Sequence, residues 1–236
     1  DDSYTNVGLS LVLKDKNRDC VVNRIECYDP LTKENVTHMS EKVTEVNNDL
    51  LPDQNIDCVV YACTSGTIAA GYENIKNKVK ISKPNASLTT PSTAAIKALK
   101  KFNVKNLALF TPYSKKLNDE VIEYIEGQWF NVTSNSYFGI ESDADIGKVD
   151  QNYLYDVLSK VNVDGADALF ISCTALPALT IIEKLEKKLN RIVLSSNQTL
   201  IWDTLQEFGN KEQIEGVGKV LRERFVSCNK AEYKNG

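Results

Sequence analysis

The chain has 236 residues, of which 42% are hydrophobic, so it can bury a sizeable core and is not a disordered protein. The formal net charge is −4, and Lys and Arg are scattered among Asp and Glu without a basic stripe, so nothing indicates nucleic-acid binding. No run of about 18 apolar residues occurs and no signal-peptide pattern precedes Val7, so we expect a cytoplasmic protein without membrane contact.

Apolar runs of strand length alternate with helical patterns along the chain, which is typical of parallel α/β architecture. The predicted strands are residues 7–13, 21–27, 58–62, 107–110, 168–172 and 192–194, with a weaker one at 132–137. The predicted helices are residues 38–51, 65–77, 91–102, 114–128, 152–162, 178–189 and 198–208. Thr90 before Pro91, and Pro112 before Ser114, are typical of helix starts, because proline suits a first turn and hydroxyls cap free N–H groups.

The connection between the first two predicted strands is short. Only residues 14–20 separate them, whereas a parallel crossover needs about a dozen residues or more. Either these two strands are antiparallel, or a loop and a helix are absent from the sequence between about Asp15 and Asp19.

Cysteine usage indicates free thiols. The six cysteines are Cys20, Cys27, Cys58, Cys63, Cys173 and Cys228. An even number is compatible with disulfides, but a chain of this size with a normal core does not need them, and several of these cysteines lie inside apolar runs. A zinc site is not indicated, because no Cys-x-x-Cys motif occurs and His38 is the only histidine.

Two segments of the chain, residues 57–66 and 167–177, repeat one pattern. Each has an acidic residue, an apolar run and then Cys-Thr, and the two cysteines, Cys63 and Cys173, are 110 residues apart. Residues at the carboxyl ends of parallel strands face the crevice where ligands bind. A helix start at that point lowers a thiol pKa and holds a carboxylate. We therefore expect both thiols to line one pocket between two similar halves.

Four motifs carry a resemblance to a known family: Ala62-Cys63-Thr64-Ser65-Gly66, Thr89-Thr90-Pro91, Leu109-Phe110-Thr111-Pro112-Tyr113 and Ser172-Cys173-Thr174-Ala175-Leu176-Pro177. They are similar to motifs of the aspartate/glutamate racemase superfamily, in the branch that contains maleate isomerase and arylmalonate decarboxylase. Further segments are similar to ectoine-utilisation-type members of this branch: Asn23-Arg24-Ile25, Pro30-Leu31-Thr32-Lys33-Glu34-Asn35 and Ser195-Ser196-Asn197-Gln198.

The resemblance implies an α/β fold of two pseudo-symmetric Rossmann-like halves, each a parallel sheet flanked by helices, with the active site in the cleft between them. The predicted first half is residues 1–90 plus 197–236, and the second is residues 91–196. The resemblance implies no metal and no organic cofactor. It also implies a small carboxylate substrate, and exposed helices are compatible with a homodimer.

Site residues follow from the same resemblance. It implies that Cys63 and Cys173 are the catalytic pair. The residues expected to hold a substrate carboxylate are Thr64, Ser65, Tyr113 and Thr174.

Three positions depart from the family pattern. Decarboxylase members keep only the second cysteine, so Cys63 argues against decarboxylation. Maleate isomerases have an asparagine where Asp143 aligns, and a carboxylate there repels a dicarboxylate and favours an amine or hydroxyl on the substrate. The N-terminal loop of the family grips a carboxylate with Ser, Asn or Thr, whereas here Asp15 takes part of that role.

The thiol pair predicts a cofactor-independent isomerase of a small carboxylic acid. Opposed thiols can remove a proton from one face of a carbon and return one to the other, which is racemisation. Alternatively, Cys63 adds to a double bond, the adduct rotates about its new single bond, and Cys173 transfers the proton, which is cis–trans isomerisation. Two other functions stay open: an arylmalonate-type decarboxylase, and a non-catalytic protein that binds a carboxylate in the same cleft.

Overall fold

The structure, a computed structural model, describes residues 19–210 and 212–223. Several predictions lie outside these residues: the strand at 7–13, the absent segment beginning near Asp15, the carboxylate-gripping role of Asp15, and the redox state of Cys228. In the described part of the chain, no helix is long and apolar enough to cross a membrane.

Two parallel sheets form the framework of the described chain. The strands are β1 Cys58–Val60, β2 Ser87–Thr89, β3 Asn106–Thr111, β4 Asn131–Tyr137, β5 Ala168–Ile171 and β6 Ile192–Ser195. β1 and β2 form a two-stranded sheet, and the other strands form a four-stranded sheet in the order β4-β3-β5-β6. Every pairing is parallel, which confirms the predicted α/β class.

Helices connect and flank these strands. They are α1 Lys33–Glu41, α2 Val43–Asp49, α3 Thr64–Ala70, α4 Tyr72–Ser82, α5 Pro91–Lys101, α6 Lys115–Gly127, α7 Asp143–Gly147, α8 Gln151–Leu158, α9 Ile182–Leu189, α10 Ser196–Glu207 and α11 Lys219–Arg222, with a 3-10 turn at Leu179–Ile181. The cap of α5 is as predicted, since the Thr90 side chain accepts a hydrogen bond from the N–H of Thr93.

The larger sheet holds the main core. β3 and β5 are almost wholly buried, and Leu109 on β3 is in register with Phe170 on β5, which in turn faces Leu194 on β6. Strands covered on both faces are continuous apolar runs, which is why the sequence made them easy to predict. A second, smaller core lies around β1 and β2 and includes Val59 and Leu88.

Helix α10 packs against α5, β1, β2 and β6. Its residues from Ser196 to Leu205 are all buried. The buried carboxylate of Asp203 on α10 pairs with Lys97 on α5, with Nζ 2.8 Å from Oδ2. The helix thus contacts strands of both sheets. The boundaries between the two predicted halves, at residues 90 and 196, stay predictions.

Four local predictions differ from the structure. Residues 21–27 form no strand, and no strand of the described chain pairs with them. The predicted helix at 65–77 is two helices, because Gly71 adopts a φ of 82° between α3 and α4. The predicted helix at 38–51 is α1 and α2. The sequence does not predict β2, because a strand of three residues is too short to show a period.

Candidate active site

Cys63 lies between the end of β1 and the start of α3, where it is the N-cap residue of the helix. Its sulfur accepts a hydrogen bond from the backbone N–H of Gly66 at 3.2 Å, and the hydroxyl of Ser65 lies 3.8 Å away. Free N–H groups and the positive end of the helix dipole favour negative charge at such a position. The site therefore suits a cysteine that acts as a thiolate.

Cys173 lies two residues beyond β5, and its surroundings differ from those of Cys63. The residue is 3% exposed, and burial raises the pKa of its thiol to about 12. The charge of Asp143 raises this pKa further, while hydrogen bonds from Tyr113 and from the backbone of Ala175 act in the opposite direction. The expectation of a pKa lowered by a helix start is wrong for Cys173, because no helix begins between Cys173 and Leu179 and the thiol is desolvated.

A chain of polar groups joins the two thiols. The hydroxyl of Tyr113 lies within hydrogen-bonding reach of the Cys173 thiol and of the Ser65 hydroxyl, and Ser65 contacts Cys63. Tyr113 is 2% exposed, and burial raises the pKa of its hydroxyl well above the usual value of 10. Tyr113 therefore keeps its proton and acts as a donor between the two cysteines.

The threonines that follow the two cysteines hold the segments together. The Thr64 hydroxyl donates to the Ser196 hydroxyl at 3.0 Å, and the Thr174 hydroxyl donates to the carbonyl of Ala62 at 2.9 Å. The side-chain amide of Asn197 donates to the carbonyl of Thr174 at 2.7 Å. Both threonine hydroxyl protons are thus donated within the protein, and the start of α10 ties both cysteine segments together.

A cavity of about 460 Å³ adjoins this arrangement. Its wall includes Cys63, Ser65, Asp143 and Thr174 from the predicted site residues. The remaining predicted residues, Cys173, Tyr113 and Thr64, are buried and are not part of its wall. A volume of this size is within the range of small-molecule sites.

Several residues at the site were not singled out from the sequence. Tyr61 and Cys27 line the cavity, and the pKa of each is raised by burial and by the charge of Cys63, that of Cys27 to about 12. Ser196 and Asn197 belong to a segment that served only to place the chain in its family. For Cys27, no sequence signal pointed to the site, because its approach depends on a segment without regular structure.

The described residues contain no group of three or more His, Cys, Asp or Glu side chains that could hold a metal ion. The prediction that the protein works without a metal or an organic cofactor stays a prediction. None of the five cysteines in the described ranges forms a disulfide.

Comparison with known proteins decides the family. The sequence profile of the arylmalonate decarboxylase family, Amdase, matches residues 28–221. The chain belongs to this family. Maleate isomerase of Geobacillus stearothermophilus is 26% identical over 204 residues, covering 83% of this chain and 80% of that enzyme. Maleate isomerase of Alcaligenes faecalis is 25% identical over 179 residues, covering 72% of this chain and 71% of that enzyme.

Solved structures show the same fold. Maleate isomerase Iso of Pseudomonas putida S16 matches with a TM-score of 0.84 at 20% identity, covering 94% of both chains. A Nocardia farcinica maleate cis-trans isomerase, a cysteine-to-serine mutant with a covalently bound succinylcysteine intermediate, matches with a TM-score of 0.80 at 16% identity, covering 93% of this chain and 94% of that one. The family profile and the curated relatives confirm the predicted branch and the prediction of an isomerase, and the solved structures confirm the fold.

Proposed function

We propose that the protein is a cofactor-independent cis–trans isomerase of a small, maleate-like unsaturated acid, with Cys63 as the nucleophile and Cys173 as the acid and base. The observation that carries the proposal is the difference between the two thiols. Cys63 faces the cavity at a helix start, while Cys173 is buried beside Tyr113 with a pKa of about 12. One thiol is placed to attack and the other to hold a proton.

The reaction proceeds by addition and elimination. The thiolate of Cys63 bonds to one carbon of the cis double bond, and the electron pair of that bond takes the proton of Cys173 at the other carbon. The adduct then rotates about its new single bond. The Cys173 thiolate removes a proton from the same carbon, the double bond re-forms, and the bond to Cys63 sulfur breaks. The trans acid leaves, and both cysteines regain their first states.

Charge builds on the substrate carboxylate during the addition, and donors aimed at it lower the barrier. We infer that Ser65, which lines the cavity, supplies a hydroxyl donor for this purpose, while the hydroxyl proton of Tyr113 is donated to Cys173. Thr64 and Thr174 support the same carboxylate through their backbone, since their hydroxyl protons are donated to Ser196 and Ala62.

Asp143 lies in the cavity wall and sets the finer specificity. A carboxylate there repels a second carboxylate on the substrate, as two like charges near a protein surface do. We infer that the far end of the natural substrate carries an amine or hydroxyl that faces Asp143. The repulsion would weaken binding of maleate itself without removing the chemistry at the two thiols.

Proton NMR in D₂O with maleate tests the proposal. Wild type is expected to form fumarate, and Cys63→Ala is expected to form none. Cys173→Ser is expected to accumulate a covalent adduct with the mass of the substrate, detected by intact-protein mass spectrometry. Cys58→Ala is the matched control, because this thiol also lines the cavity but lies within β1 and not at a helix start.

Other outcomes would support other functions. Deuterium at the α-carbon of aspartate or glutamate without conversion of maleate would indicate a racemase. Release of CO₂ from phenylmalonate that persists in Cys63→Ala but not in Cys173→Ser would indicate a decarboxylase. Binding without adduct or exchange would indicate a carboxylate-binding protein.

We also infer a cytoplasmic homodimer. The five described cysteines form no disulfide, which supports a reducing compartment. Light scattering during size-exclusion chromatography distinguishes a dimer from the 26.4 kDa monomer.

A further inference from the structure

Tyr61 carries a buried hydroxyl that has no hydrogen-bond partner among the described residues. Tyr61 is 7% exposed and lines the cavity. Buried hydroxyl groups are normally paired, because leaving one without a partner costs free energy. An unpaired donor in a cavity wall therefore marks a place where a ligand atom accepts.

The Tyr61 hydroxyl lies close to the backbone of Gly66. A Cβ atom at Gly66 would lie 2.8 Å from the Tyr61 hydroxyl and 2.9 Å from the Cys63 sulfur. The hydroxyl and the sulfur thus flank the same small volume, which the absent side chain of Gly66 leaves open. The structure shows no hydrogen bond between them, so the hydroxyl is not used to hold the thiol.

The hydroxyl is a permanent donor. Burial raises the pKa of Tyr61 above its usual value of 10, and the charges of Cys63 and Cys27 raise it further. The group keeps its proton at any working pH and is suited to an anionic acceptor.

We propose that Tyr61 binds the maleate carboxylate next to the carbon that Cys63 attacks, donating its hydroxyl hydrogen bond to an oxygen of that carboxylate in the adduct. The carboxylate that takes up charge is attached to the other carbon and is a separate group. This inference depends on the proposed addition by Cys63. In the adduct, the carboxylate bound by Tyr61 is two bonds from the sulfur, so a donor beside the sulfur reaches it. Each thiol then has its own tyrosine: Tyr113 beside Cys173, and Tyr61 beside Cys63.

The first test compares Tyr61→Phe with Tyr72→Phe, using maleate as the probe. Tyr72 is the matched control, because its hydroxyl contacts the carbonyl of Leu88 and does not line the cavity. We expect Tyr61→Phe to lower kcat/KM at least tenfold and to slow adduct formation in the Cys173→Ser background by a similar factor. Tyr72→Phe is expected to stay within twofold of the wild-type kcat/KM. Without ligand, Tyr61→Phe is expected to have a thermal midpoint no lower than that of wild type, because it removes an unpaired buried hydroxyl.

Thermal stabilisation by maleate is a second readout that needs no turnover. We expect maleate to raise the thermal midpoint of wild type and of Tyr72→Phe, and to raise it less in Tyr61→Phe. Turnover by wild type with an unchanged Tyr61→Phe would overturn this inference alone. A wild type that neither converts maleate nor is stabilised by it would overturn both this inference and the proposed function.

Gly66→Ala tests the shared volume directly. The added methyl group meets the Tyr61 hydroxyl and the Cys63 sulfur, so we expect adduct formation to fall at least tenfold. Gly127→Ala is the matched control, because a Cβ there has no atom within 4 Å. Wild-type adduct rates in Gly66→Ala would show that the substrate does not occupy this volume and would contradict the proposal.

Discussion

The side-chain amide of Asn197 donates a 2.7 Å hydrogen bond to the backbone carbonyl of Thr174, and both residues are buried. Its neighbour Ser196 accepts a hydrogen bond from Thr64. The first turn of α10 therefore holds the segments that follow β1 and β5, which carry the two cysteines. The relative position of the thiols depends on a helix that contributes no catalytic group.

Removing this amide is expected to affect both stability and turnover. Asn197→Ala leaves the buried carbonyl of Thr174 without its partner, which costs about 1–3 kcal/mol in the free energy of unfolding. We also expect kcat to fall, because the segment that carries Cys173 is released. Urea denaturation and steady-state assays measure the two effects.

The matched control is Asn74→Ala, which removes an exposed amide that contacts the carbonyl of Ala70 at 3.4 Å. It is expected to change stability by about 0.5 kcal/mol or less, as surface substitutions do. Equal losses of stability in Asn197→Ala and Asn74→Ala would show that the Asn197 amide does not hold the segment that carries Cys173.

Tyr113→Phe is expected to lower kcat by about 10²–10³, the usual cost of losing one donor in such a site. The hydrogen bond from Tyr113 lowers the pKa of Cys173, so its loss makes the Cys173 thiolate harder to form. Steady-state kinetics with maleate measures the effect. Tyr124→Phe, at a tyrosine that does not line the cavity, is the control, and a similar kcat in both variants would contradict the role of Tyr113.

Asp143→Asn is expected to lower KM for maleate by about tenfold or more, because one repulsive charge is removed. It also removes a charge that raises the pKa of Cys173, so the alkaline limb of the kcat profile is expected to move to lower pH. Asp145→Asn on the same helix is the control, since this exposed carboxylate pairs with Lys148 at 2.8 Å. A higher KM in Asp143→Asn would indicate that maleate is bound through Asp143.

Stability is expected to fall at alkaline pH. Burial raises the pKa of Cys27 and of Cys173 from 9.0 to about 12, so the unfolded chain releases these protons at lower pH than the folded chain. Stability is therefore unaffected by these thiols below about pH 9 and declines up to about pH 12, by about 1.4 kcal/mol per pH unit for the buried Cys173. The contribution of Cys27 is smaller, because this thiol is partly exposed and solvent screens its surroundings.

Urea denaturation between about pH 8 and about pH 10.5 measures this decline. Cys27→Ser is expected to have a shallower decline than wild type, because one of the two thiols no longer titrates. Cys20→Ser, at an exposed cysteine, is the control and is expected to follow wild type. Parallel curves for wild type and Cys27→Ser would show that burial does not shift the Cys27 thiol.

The sequence by itself determined the parallel α/β class, five of the six described strands and the place of Cys63 at a helix start. These features depend on local patterns: continuous apolar runs, hydroxyl caps and proline in a first turn. The sequence also pointed to a strand at residues 21–27, which the structure lacks, because an apolar run becomes a strand only beside a partner.

Only the tertiary structure decided how the two thiols differ. Burial of Cys173, its contact with Tyr113 and the hydrogen bond between Asn197 and Thr174 join residues that are distant in the chain. No local pattern records the loss of solvent around a thiol, and that loss sets its pKa. The tertiary structure alone likewise shows that the Tyr61 hydroxyl is unpaired and lies beside the same open volume at Gly66 as the Cys63 sulfur.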